Sequence, residues 1–147
     1  MFLLNTEFFF DSEVPHGNIV GPSIKVPTPD EYDVKARSIA NFIDKYQANL
    51  VALVEVENRD CVELVQENLN HKEFWQIIFL EGRDTFTGQE VAVPSKFPVI
   101  KETVTNFPGQ WSNYNYQGKS KSVRPYKDCE LSIYGQSVYL IVAHLYF

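Results

Sequence analysis

Three polar residues interrupt or end apolar runs, and their chemistry is complementary. Glu55 directly follows Leu50-Val51-Ala52-Leu53-Val54. A carboxylate at the exit of a buried strand is costly unless it is hydrated, paired or bound to a metal. With Glu57 and Asn58 close behind, it supplies the oxygen ligands that a hard cation such as Mg²⁺ takes. In a regular pleated strand Glu55 and Glu57 share one face. Asn5 breaks the apolar opening of the chain. If its strand lies beside residues 50–54, its amide stands next to Glu55, placed to orient that carboxylate or to touch a phosphate oxygen. His144 ends Leu140-Ile141-Val142-Ala143, and an imidazole donates to phosphate or transfers a proton near neutral pH. Each residue alone has a plainer reading: an acid emerging into solvent, an asparagine at a strand terminus, a satisfied structural histidine. The weight lies in the three together.

The elements that must carry these residues are legible. Residues 2–10 read as a short strand running into an aromatic turn, and residues 11–28, with three prolines and two glycines, as a loop. Thr28, Pro29 and Glu31 spell a helix start: an N-cap, a first-turn proline and a capping-box acid. Ala36, Ile39, Ala40, Ile43 and Tyr46 then recur at helical spacing, while Lys35, Arg37, Asp44 and Lys45 point elsewhere. The run 50–54 is too short for a stable helix and reads as a buried central strand, so strand, helix, strand forms a βαβ-like unit with both strands running the same way. Asn58 caps a second helix bearing Cys61, Leu64, Val65 and Leu69 on one side. Further strands fall at 74–80, 91–93 and 99–105. Pro94 removes a ladder donor, so the strand at 91–93 ends early or lies at an edge. Cys129, Leu131 and Ile133 alternate with polar residues as a half-buried strand, Gly135-Gln136 turns the chain, and residues 138–143 return as an apolar strand. The class is α+β, two helices against a strand-rich sheet system.

Composition bounds the function. The 147 residues form one domain or part of a larger one, and with 44% hydrophobic and 14% aromatic residues there is ample material for a core. A net charge of -6 argues against a protein that coats duplexes by phosphate neutralisation; it suits a metal site or a small-substrate site equally. The two cysteines, Cys61 and Cys129, have no metal-ligand spacing and read as buried thiols in a reducing compartment. There is no signal-peptide core and no run of membrane-spanning length, so the expected location is cytoplasmic. Residues 106–125 read as a long loop. There Trp111, Tyr114 and Tyr116, with Tyr126 beyond, interleave with Lys119, Lys121, Arg124 and Lys127, either packing on the sheet or meeting bases and phosphates.

Asn5-Thr6-Glu7 followed by Leu50 to Asn58 resembles the opening of the endonuclease/exonuclease/phosphatase superfamily, the DNase I-like fold. Gly82-Arg83-Asp84 with Gly88 to Pro98 is similar to the middle strand and turn of that family. Arg124 before a strand, then Leu140 to Leu145, is similar to its stretch ending in a histidine–leucine pair. The resemblance implies a DNase I-like β-sandwich flanked by helices, with residues 1–147 matching its N-terminal half. It implies a Mg²⁺- or Mn²⁺-dependent attack of water on a phosphodiester, with nucleic acid one candidate substrate. Glu55 would be the metal ligand. Asn5 and His144 would be catalytic, and Arg124 and Asp84 would contact substrate phosphate. The family's later Asp-x-Asn motif and Asp-His pair have no counterpart up to Phe147. That implies an isolated half without turnover, or alternatively a non-catalytic interaction or phosphate-binding module. A half-sandwich is further expected to expose apolar surface on the strands around Leu50–Val54 and Leu140–Ala143, and so to pair with a second copy or with a complementary C-terminal half.

Overall fold

The computed structural model describes residues 1–13, 26–79, 89–105, 113–116, 119–122 and 126–144. Its elements are β1 (Phe2–Phe9), α1 (Pro29–Lys45), β2 (Val51–Val56), α2 (Arg59–Glu67), a 3-10 turn (Lys72–Phe74), β3 (Gln76–Phe79), β4 (Glu90–Ser95), β5 (Val99–Thr105), β6 (Asn113–Tyr116), β7 (Lys119–Ser122), β8 (Tyr126–Ile133) and β9 (Gln136–Val142). They form a four-stranded sheet in the order β1-β2-β4-β3, a three-stranded sheet β5-β8-β9 and the pair β6-β7. This is an α+β layered fold in which the two larger sheets face each other and the helices cover one side.

Why the layers form is visible in β2. Val51, Leu53 and Val56 enter a core shared with Ala36, Ala40 and Ile43 of α1 and Cys61, Val62 and Val65 of α2. Leu50, Ala52 and Val54 enter a second core with Val91, Val93, Cys129, Leu131 and Val142. A strand buried on both faces needs an unbroken apolar run, which this sequence supplies. The expectation that Leu50–Val54 exposes apolar surface is therefore wrong: none of its residues is more than 6% exposed, because α1 and α2 close one side and the β5-β8-β9 sheet the other. For β9 the expectation holds. Tyr139 is 72% and Ile141 64% exposed, on the edge strand of its sheet.

Strand β1 runs parallel to β2, as the βαβ-like reading requires. Helix α1 begins with the expected capping box: Thr28 Oγ1 accepts from Glu31 N at 3.2 Å, and Thr28 N donates to Glu31 Oε2 at 2.8 Å. Asn58 Oδ1 caps α2 by accepting from Cys61 N at 2.9 Å, a contact of a kind typically worth about 1 kcal/mol.

Two strand readings need correction. Pro94 neither ends β4 nor marks an edge; β4 lies between β2 and β3, and Pro94 is fully buried opposite Ile77. The ladder from β4 to β2 is broken opposite Pro94, between Leu53↔Ala92 and the bridge Leu50↔Ser95. The missing N–H of proline is accommodated in that gap. Residues 106–125, read as one loop, contain the hairpin β6-β7 with Tyr114 opposite Lys121 and Tyr116 opposite Lys119. The alternation Asn-Tyr-Asn-Tyr and Lys-Ser-Lys-Ser is a strand period set among loop-forming prolines and glycines.

Both cysteines are free and buried, as read from the sequence. The β8-β9 turn falls at Tyr134-Gly135, one residue earlier than expected, with φ of 51° and 77°. Positive φ at both central residues is the geometry of a two-residue hairpin turn, and the glycine adopts it without a steric cost. Among the described residues no helix is long and apolar enough to cross a membrane.

Candidate active site

The end of β2 departs from strand geometry, and the site is built on that departure. Glu55 has φ 65°, a left-handed conformation that a non-glycine residue holds only when its surroundings impose it. Against β4, the residues Val54 and Val56 pair with the consecutive Val91 and Glu90, so Glu55 is the extra residue of a bulge. Against β1, Val54 and Val56 pair with Asn5 and Phe9, so β1 bulges more widely still, with Glu7 and Phe8 at φ 50° and 60°. Bulges re-aim side chains and gather beside active sites. Here the bulge takes Glu55 out of the pleat, so the expected common face of Glu55 and Glu57 does not exist. Glu57 lies past the strand end, where its Oε2 accepts from Asp11 N at 2.8 Å.

A bulge leaves backbone groups without ladder partners, and buried ones must find others. The accounting closes locally. Asn5 Oδ1 accepts from Glu7 N at 2.8 Å, and Glu55 Oε2 accepts from Phe8 N at 3.2 Å. The buried Thr6 hydroxyl lies 2.8 Å from Val54 O and 3.0 Å from Glu55 O, its proton shared between two carbonyls. Lys35 Nζ donates to Glu7 O at 2.6 Å and lies 3.3 Å from Phe8 O.

The Glu55 carboxylate is the centre of the arrangement. Asn5 Nδ2 donates to its Oε1 at 2.9 Å. His144 Nε2 lies 3.4 Å from the same oxygen, with the histidine side chain 17% and the glutamate side chain 14% exposed. Asn5 and Glu55 come from adjacent strands of one sheet, whereas His144 follows β9 of the other. The site thus sits at the seam between the sheets, where three stretches far apart in sequence converge. Below it a second set of bonds ties β1 to α2. Phe9 O accepts from Glu57 N at 2.9 Å, and Asn58 Nδ2 donates to Asp11 Oδ2 at 2.6 Å.

The donor set can be tested against a metal ion. Among the described residues there is no group of three or more His, Cys, Asp or Glu side chains gathered as a metal cage, which excludes a closed all-protein site there. A Mg²⁺ ion does not need one: it is held through one or two carboxylates and keeps several waters. Glu55 fits that mode, since the two N–H donors occupy two of the roughly four acceptor sites that a carboxylate offers. Asp84 and Arg124 lie outside the described residues, as do Trp111, Gly82, Arg83 and Gly88. Of the residues singled out from sequence, the structure brings Asn5, Glu55 and His144 together. Thr6 and Lys35 belong to the same cluster and were missed. The available signal for Lys35 was its place three residues after Tyr32 and four before Ile39, both packed against the core.

The fold defines a class: the chain carries part of a DNase I-like fold. Solved structures that it is similar to include a truncated TDP2 from Caenorhabditis elegans (TM-score 0.55, 19% identity over 78% of this chain and 40% of that one), TDP2 from the same organism (TM-score 0.53, 19% identity, 79% and 31%), and an endonuclease/exonuclease/phosphatase family protein from Leptotrichia buccalis C-1013-b (TM-score 0.53, 14% identity, 77% and 48%). The chain spans less than half the length of each of these structures. No protein-family model and no curated protein sequence matches it.

Proposed function

We propose that Asn5, Glu55 and His144 are the metal- and phosphate-contacting part of a metal-dependent phosphodiesterase or nuclease-type hydrolase site. The observation that supports this most is the Glu55 carboxylate, imposed on a left-handed backbone and held between an amide, a peptide N–H and an imidazole at the seam of two sheets in this fold. Glu55 would hold Mg²⁺ or Mn²⁺. A bound ion of this kind supplies Lewis-acid polarisation of a phosphoryl oxygen. Asn5 fixes the carboxylate with one N–H and has a second to offer a phosphate oxygen. His144 supplies a donor beside the same carboxylate, for a phosphate or for a leaving oxygen. The resemblance adds Arg124 and Asp84 as phosphate contacts.

The 147 residues alone are proposed to bind the cation without turnover, because the later Asp-x-Asn motif and Asp-His pair of the family they resemble have no counterpart among them. Calorimetric titration with Mn²⁺ tests the first part: one site is expected, lost in Glu55→Gln. Incubation with Mg²⁺ and plasmid DNA or a model phosphodiester tests the second, with no product expected above background. Absence of any Glu55-dependent binding overturns the metal reading, and robust hydrolysis abolished by Glu55→Ala overturns the expectation of no turnover. A second reading, an interaction module, is favoured by the exposed Tyr139 and Ile141 on β9, since exposed apolar side chains gather at partner contacts.

A further inference from the structure

Helix α1 reaches the site through a single cation. Lys35 is half-buried rather than on the solvent side of the helix, and its Nζ donates to Glu7 O at 2.6 Å. That carbonyl and the Phe8 N–H are the two ends of one peptide unit, and the N–H end donates to Glu55 Oε2 at 3.2 Å. An ammonium, a peptide group and a carboxylate therefore stand in one chain of hydrogen bonds. A cation on the oxygen of a peptide polarises it and strengthens its N–H as a donor, and bonds with an ionised partner are stronger than neutral ones. Loss of water pushes the pKa of Lys35 down, while the carboxylates of Glu7 and Glu55 push it back up, so the cation and the site carboxylate sense each other's charge.

We propose that Lys35 is a positioning residue for the site, setting the direction of the Glu55 carboxylate through the Glu7–Phe8 peptide. The effect on metal binding rests on the reading of Glu55 as a cation ligand; the effect on the peptide does not. Partners that orient a metal ligand from behind typically alter metal affinity by 10- to 100-fold, and Lys35 occupies that place although it touches neither ion nor substrate.

Two measurements test this on the folded chain: Mn²⁺ affinity by calorimetry, and the Phe8 amide proton shift in metal-free protein. In Lys35→Met the Mn²⁺ affinity is expected to fall roughly tenfold and the Phe8 proton to move upfield, the same direction expected in Glu55→Gln. Lys35→Arg, which keeps a cationic donor, is expected to restore both. Lys35→Gln serves as a second neutral variant if the methionine protein fails to fold. A Phe8 proton that stays in place in a folded neutral variant overturns the proposal, whether or not metal binds. Unchanged Mn²⁺ affinity in that variant, with binding intact in the wild type, overturns it as well. If no variant and no wild-type protein binds Mn²⁺, yet the Phe8 proton moves in both Lys35→Met and Glu55→Gln, the metal reading fails and the hold of Lys35 on the carboxylate stands.

Discussion

Asn5 and Glu55 are 50 residues apart in sequence and share a 2.9 Å hydrogen bond from amide to carboxylate, made where both of their strands leave regular pairing. The bond joins two bulges, and each bulge depends on the other for its shape. A left-handed residue with a side chain costs about 1–2 kcal/mol relative to a right-handed one, so the site is held against local preference by its neighbours.

The first prediction follows from that cost. Glycine ordinarily destabilises a strand interior by roughly 0.5–1 kcal/mol relative to alanine. At position 55 the order is expected to reverse: Glu55→Gly unfolds at a higher denaturant concentration than Glu55→Ala, because only glycine accepts φ 65° freely. Both variants lose the carboxylate, so their difference isolates the backbone. Urea titrations followed by circular dichroism measure it, and an alanine variant at least as stable as the glycine one would refute the strained-bulge account.

The second concerns the thiols. Burial pushes the Cys61 thiol up to about 12 and the Cys129 thiol up to about 11, from an ordinary 9.0. Between pH 9 and these values the unfolded chain releases thiol protons that the folded chain retains. Stability is therefore complete below about pH 9 and falls as pH rises through that window. Replacing both cysteines with alanine should flatten the decline, a comparison that cancels the baseline loss of packing. In parallel, neither thiol of the native protein should react with Ellman's reagent at pH 8, and both should react in denaturant; rapid native labelling would contradict the burial.

The third concerns β9. Its seven residues carry no charge and no proline, two of the features by which edge strands are protected from pairing with another chain. The chain is expected to self-associate at raised concentration, and Ile141→Lys to keep it monomeric with its secondary structure unchanged. Light scattering that finds the wild type monomeric throughout would remove the basis for a docking role of this strand.

The sequence carried the βαβ-like unit because each of its signals was local: the Thr28 cap, the spacing from Ala36 to Ile43, the apolar run into Glu55. Parallel pairing then placed Asn5 beside Glu55 without further information. His144 was a weaker inference, since only the packing of one sheet on the other brings it near. The bulges were illegible, because Glu7, Phe8 and Glu55 have no composition that announces a left-handed backbone. Lys35 followed the bulges into obscurity: its partners are carbonyls that a regular strand would have turned toward its neighbour. Pro94 misled because the rule about proline in sheets concerns a donor, and the gap in the ladder beside it removes the need for one.

The position of the site at the seam has a mechanical consequence. The Asn5–Glu55 distance is set within one sheet, between adjacent strands at the point where their ladder gives way to the bulges. The His144–Glu55 distance spans the two sheets, which meet through the apolar contacts of the second core. The triangle of side chains has one edge within a sheet and one between sheets. The amide and carboxylate therefore share one sheet while the histidine belongs to the other, so grip and geometry are governed by different parts of the molecule.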